Sequence, residues 1–120
     1  MVEGKIKISS DVVAAIAGIT VSKIEGVHSL VGGINWAEIL NKKGPKNGVN
    51  VRVEAQECYV SISLIVNYGV KIHELAEKIQ EKVKENITKS TGLDVKEVDI
   101  SIEDIVEINS TITKEEKTKK

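Results

Sequence analysis

The stretch from Asn67 to Ser101, NYGVKIHELAEKIQEKVKENITKSTGLDVKEVDIS, constrains the fold more than any other part of the chain. It reads as strand end, glycine corner, amphipathic helix, glycine stop and strand. Ile72, Leu75, Ala76, Ile79, Val83 and Ile87 recur at helical spacing and make one apolar stripe. His73, Glu74, Glu77, Lys78, Glu81, Lys82, Lys84 and Glu85 fill the other face with both signs of charge. Glu74 and Lys78, four apart, support the helix, whereas Glu81 and Glu85 mildly repel. Gly92 stands where a helix ends on a left-handed residue, a conformation that costs glycine nothing because it has no Cβ. Such a unit has to bury its stripe on a sheet. It offers no nucleophile with a base and no cluster at metal-ligand spacing.

Upstream, Lys5-Ile6-Lys7-Ile8 alternates and predicts a first strand with Ile6 and Ile8 inward. Ser9 or Ser10 then offers an N-cap hydroxyl, with Asp11 favourably placed in the first turn of a helix over Asp11–Ile24. That helix is apolar on most of its circumference. Val13, Ile16, Ala17, Thr20 and Ile24 make one face, and Val12, Ala15, Ile19 and Lys23 a second. Ala14, Gly18 and Ser22 make a third stripe of small residues that allows another backbone to come close. A helix so apolar all round is expected to be buried on more than one side.

Gly26 ends the helix, and Val27–Val31 reads as a short strand broken by Gly32-Gly33. A brief amphipathic helix over Ile34–Asn41 carries Trp36, and Lys42–Gly48 is a basic, glycine-rich loop around Pro45 with the look of a mobile segment. Val49, Val51, Val53 and Ala55 alternate with polar residues, as do Cys58, Val60, Ile62, Leu64 and Val66. The two runs predict a hairpin turning at Gln56-Glu57, without the glycine such turns prefer. Val98, Ile100 and Ile102 mark a last strand. The fold class expected is α+β, a small mixed or antiparallel sheet with two main helices packed on one face, forming one domain over 1–108. Residues 109–120, rich in Lys and Glu with nothing to bury, read as a disordered tail.

Composition narrows the function classes. A chain of 120 residues is long enough for one real core, yet the aromatic share is 2% and there is no Phe. Trp36, Tyr59 and Tyr68 are the only large rings, fewer than base-stacking readers of nucleic acid use. A net charge of −1 gives no overall pull on phosphate or anionic lipid. The single cysteine, Cys58, excludes an internal disulfide and suits a reducing compartment. No secretory pattern opens the chain, and its longest weakly charged run, Val12–Ser22, is too short to span a bilayer. These features predict a cytoplasmic protein, membrane-associated only through something else.

Several residues point to a family. Gly4-Lys5-Ile6-Lys7-Ile8-Ser9, Val12 with Ile16-Ala17, and Glu25-Gly26-Val27 resemble the opening of the alkaline-shock, Gls-type envelope stress response family of Gram-positive bacteria. Tyr68-Gly69-Val70-Lys71-Ile72, Ile79-Gln80-Glu81-Lys82-Val83, and Thr91-Gly92-Leu93-Asp94-Val95 through Val98-Asp99-Ile100 resemble its second half. The likeness runs in order to about Val106 and suggests a short member. It implies a non-enzymatic scaffold that forms homo-oligomers, has no cofactor, and meets a membrane-anchoring or lipid-synthesis protein partner. Envelope stress and lipid homeostasis are both roles it implies.

Candidate sites divide into interaction and chemistry. Ala14, Gly18, Ser22, Trp36, Tyr59 and Ile65 are the candidate interaction residues. The first three allow close approach, and Tyr59 and Ile65 stand on an otherwise polar strand face. Trp36 beside Ile34, Ile39 and Leu40 reads equally as a partner or membrane-edge anchor and as part of a core-covering helix. Cys58 at an apolar strand position reads as a packed thiol, and His28 and His73 as solvated or capping side chains. Ser61 and Ser63 read as surface serines, and Asp99 with Glu103 as a water-facing acid pair. The runner-up function is a KH-like nucleic-acid domain gripping phosphate with Lys42, Lys43 and Lys46. Against it, that loop type separates its glycines by two residues, whereas Gly44 and Gly48 have three between them.

Overall fold

A computed structural model describes residues 2–32 and 48–107. Its elements run α1 (Ser10–Ser22), β1 (Val27–Leu30), β2 (Val49–Glu54), β3 (Glu57–Asn67), α2 (Ile72–Thr91) and β4 (Asp94–Val106). β3 is the spine of the sheet. β4 runs parallel along its whole length, from Glu57↔Asp94 to Asn67↔Val106. β2 pairs antiparallel with residues 57–62 of β3, and β1 antiparallel with residues 64–66. Because β4 takes one entire edge, β1 and β2 lie end to end along the other. They meet at Ser63, whose N–H donates to the Gly48 carbonyl (2.8 Å) and whose carbonyl accepts from Val31 N–H (3.0 Å). The sheet is therefore mixed, with the parallel pair joined by the α2 crossover.

The join explains Gly48. Its φ is +79°, and a Cβ there would stand 2.9 Å from both the Leu30 Cβ and the Val31 carbonyl oxygen. Two strand ends meet with no room for a side chain.

Both helices cover one face of the sheet, α1 over β1 and β2, α2 beside it over β4. α1 starts on Ser9, whose Oγ accepts from Val12 N–H at 3.3 Å. α2 buries Leu75, Ile79, Val83 and Ile87, the expected stripe, while Ile72 in its first turn stays partly exposed. It ends on Gly92 at φ +79°, with Gly92 N–H donating to the Thr88 carbonyl. Val13, Ala17 and Val21 of α1 meet these residues and the inner row of β3, which is Cys58, Val60, Ile62, Leu64 and Val66. A polar bridge crosses the helix pair. Asn86 Nδ2 donates to Thr20 Oγ1 (2.9 Å), and that hydroxyl donates to the Ile16 carbonyl (2.8 Å), so neither polar group is buried unpaired.

Three expectations are corrected. Residues 5–8 form no strand, and Ile6 is not inward but 91% exposed; only Ile8 packs against the core. The hairpin turns at Ala55-Gln56, one residue earlier than expected, with Ala55 at φ 55° supplying the left-handed step that a glycine normally makes. β4 begins at Asp94 rather than near Val98. The helix over Ile34–Asn41 and the loop at Lys42–Gly48, apart from Gly48, lie outside the described residues, as does the segment 109–120.

Two stability outcomes follow from this packing. Ile79→Ala is expected to cost about 2–5 kcal/mol through lost transfer energy and a cavity, and Glu77→Ala on the opposite face less than about 0.5 kcal/mol. Equal urea midpoints for the pair would mean that the wrong face has been placed inside. Ala55→Gly is expected to raise stability by about 1 kcal/mol, because the left-handed conformation strains alanine and not glycine. A lowered midpoint would contradict that reading of the turn.

Candidate interaction surfaces

Among the described residues no helix or strand covers the second face of the sheet, and strand alternation determines what it displays. With the turn at Ala55-Gln56, Arg52 stands opposite Tyr59 and Asn50 opposite Ser61, while Glu97 and Asp99 flank the same two β3 residues from β4. The Arg52 guanidinium lies over the Tyr59 ring, 4.1 Å from its centroid, and is also hydrogen-bonded to Glu54. Tyr59 OH donates to Glu57 Oε1 at 3.2 Å. Asn50, Arg52, Tyr59, Ser61, Glu97 and Asp99 line a shallow concavity of about 270 Å³. Beyond it, Ser101 donates to Glu103, and Asp104 Oδ1 accepts from Ile105 N–H. Acids outnumber the one arginine, so the field over this face is negative.

Protonation follows from these contacts. The Glu54 hydrogen bond holds the Arg52 guanidinium above its usual range, so it stays charged. Desolvation, then the hydrogen bond to Glu57, pushes the Tyr59 phenol up. Cys58 is fully buried, and that burial pushes its thiol up, with Asp94 adding to the shift. A neutral buried thiol is a poor nucleophile.

The candidate residues scatter over this framework. Tyr59 and Ile65 lie half-buried on the open face. Ala14 and Gly18 are buried inside the fold, whereas Ser22 is exposed, its Oγ donating to the Ile19 carbonyl. The small-residue stripe is therefore not one continuous external groove. Trp36, Lys42, Lys43 and Lys46 lie outside the described residues. His73 pairs with Glu77 at 3.1 Å on the solvent face of α2, and His28 is exposed on β1. Among the described residues no group of three or more His, Cys, Asp or Glu side chains is placed to hold a metal. Arg52 was not legible as a partner of Tyr59, because a turn displaced by one residue sets it opposite Ser61 instead.

Residues 1–107 match the alkaline shock protein 23 family, described as having a cell envelope-related function. The chain belongs to this family. An uncharacterized Bacillus subtilis (strain 168) protein, YloU, is 33% identical over 108 residues, covering 85% of this chain and 88% of the relative. YqhY of the same organism, also uncharacterized, is 30% identical over 82% of this chain and 75% of its own length. A Streptococcus pyogenes stress response regulator gls24 homolog is 25% identical over 87% of this chain, which spans 60% of that longer relative. Among solved structures, a zinc form of MamM CTD shares the fold with a TM-score of 0.51 at 16% identity, covering 82% of this chain and 88% of that one. No helix among the described residues is long and apolar enough to cross a membrane.

In a Tyr68→Phe background the remaining phenol is expected to ionise above the ordinary tyrosine range. Glu57→Gln should bring it down by removing the charged acceptor. Ultraviolet titration near 295 nm reads this directly, and an unchanged midpoint in the Glu57 variant would contradict the contact.

Proposed function

We propose that this family member is a non-enzymatic interaction protein of the cell envelope, serving envelope stress or lipid homeostasis through self-association and a protein partner. It works in the cytoplasm and reaches the membrane through that partner. The observation that carries this reading is where the core leaves apolar side chains uncovered. Val12 and Ile19 share the outer face of α1, and Tyr68, Ile72 and Ile105 gather at the end of the sheet where β3 gives way to α2. Exposed apolar groups concentrated in this way mark contact surfaces. The family's envelope-related description and the stress-regulator name of a streptococcal relative favour the same reading.

Several polar side chains brace the fold. Thr20 and Asn86 bridge the helices, Gln80 Nε2 donates to the Val98 carbonyl at 2.9 Å, and Thr91 Oγ1 accepts from Leu93 N–H at 3.1 Å. The KH-like alternative has less behind it. A phosphate backbone is repelled by a sheet face carrying Glu97, Asp99, Glu103 and Asp104.

Light scattering on the full chain at micromolar concentration tests the self-association. A mass of at least two 13.1 kDa copies is expected. A monomer mass at every concentration would overturn it. Steeply salt-dependent RNA binding would favour the alternative instead.

A further inference from the structure

Residues 2–8 carry a strand pattern and have no strand partner. Val2, Gly4 and Ile6 fall on one side of an extended chain, and Glu3, Lys5 and Lys7 on the other. Yet Val2 and Ile6 are 93% and 91% exposed, and neither Lys5 nor Lys7 has an ion pair among the described residues. Two aliphatic side chains held wholly in water beside two unpaired lysines make a segment with the complement of a binding strand and nothing bound.

The opposite half of that complement lies on β4. This strand of 13 residues pairs with β3 on one edge, and no described strand covers the other. Backbone groups of alternate residues point to opposite edges. Gln80 caps the Val98 carbonyl from α2, so the outward-pointing set is that of Val98, Ile100 and Ile102. With Val98 capped, and with Ile105 N–H already donating to Asp104 Oδ1, the open stretch runs over residues 99–104. Its side chains alternate too: Ile100 and Ile102 face the helices half-buried, and Asp99, Ser101 and Glu103 face solvent, followed by Asp104. Two β4 edges cannot pair with each other favourably, because acids would stand against acids. A basic strand with an aliphatic row fits.

We propose that residues 2–8 of one copy add as a strand to the outer edge of β4, over residues 99–104, of a second copy. Lys5 and Lys7 then stand beside Asp99, Glu103 and Asp104, while Val2 and Ile6 extend the aliphatic row of Ile100 and Ile102. Backbone hydrogen bonds supply the attachment, and the charge and apolar rows supply register. The lengths are compatible: a segment over 2–8 is long enough to run along the open stretch over 99–104. The exchange takes place between copies because α1, which the segment leads into, lies over β1 and β2, with α2 between it and β4. This proposal rests on the self-association reading and assigns its geometry.

Equal amounts of unlabelled and ¹⁵N-labelled full chain, mixed and treated with a zero-length carbodiimide cross-linker, test it by mass spectrometry. Lys5 or Lys7 is expected to join Asp99, Glu103 or Asp104 in pairs that combine one labelled and one unlabelled peptide. Ile6→Pro, which removes a backbone donor at a residue that barely touches its own core, is expected to weaken assembly at least about tenfold, the equivalent of 1.4 kcal/mol. Its monomer thermal midpoint should stay unchanged. If the wild type assembles but Ile6→Pro assembles equally well, or the cross-links never combine the two labels, this geometry is overturned and self-association stands. A wild type that is monomeric throughout overturns both.

Discussion

The double pairing of β3 is the constraint on which the rest of the structure depends. Its eleven residues are hydrogen-bonded on one side to all of β4 and on the other to β1 and β2 laid end to end. Its inner row, Cys58 to Val66, is buried beneath both helices. A shift of an inner β3 residue disturbs β4 on one side, β1 or β2 on the other, and the helical layer above. The tight places in the fold serve this arrangement. Gly48 allows two strand ends to abut, Ala55 turns the hairpin into register, and the Gln56 carbonyl accepts from Asp94 N–H at 2.8 Å to start β4 beside the turn. With β3 paired on both sides, the strand edges left open among the described residues are the outer ones, that of β4 above all.

Those open edges join fold to function. The helices use up one face, and the other carries a charged, shallow surface around Arg52 and Tyr59. Among the described residues, an acidic edge, a basic strand-like segment, and apolar side chains on the rim of α1 and the end of the sheet stay free for contacts. None of these needs a buried catalytic group. A strand passed from one copy to the next is a heterologous contact, which propagates unless the rotation between copies closes a ring. The proposed assembly would gain extended surfaces by that route without enlarging the domain.

Much of this was legible in the sequence, and the parts that were not have physical causes. The stripe of α2 and its stop at Gly92 were readable because helical period and a glycine end-signal agree. The β2–β3 hairpin was readable from alternation, but its turn was displaced by one residue because alanine, not glycine, takes the positive φ. The length of β4 was hidden by irregularities in its pairing. One lies between Val95 and Glu97 and another between Ile102 and Asp104, and each breaks the period of two. The small stripe of Ala14, Gly18 and Ser22 was visible as a pattern, yet a helix apolar all round does not declare which side faces its own core. Segment 5–8 shows the same limit: alternation announces a strand and says nothing of which chain supplies the neighbour. Arg52 became a partner of Tyr59 only once the turn was placed.

Amide hydrogen exchange, followed residue by residue at low and high protein concentration, tests the division between a satisfied spine and an open edge most directly. β3 amides from Cys58 to Val66 should exchange only through global unfolding at both concentrations. The outward amides of Ile100 and Ile102 should exchange fast when dilute and become protected as concentration rises. Protection of Ile100 and Ile102 that is the same at every concentration, or β3 amides that open before the rest, would contradict it.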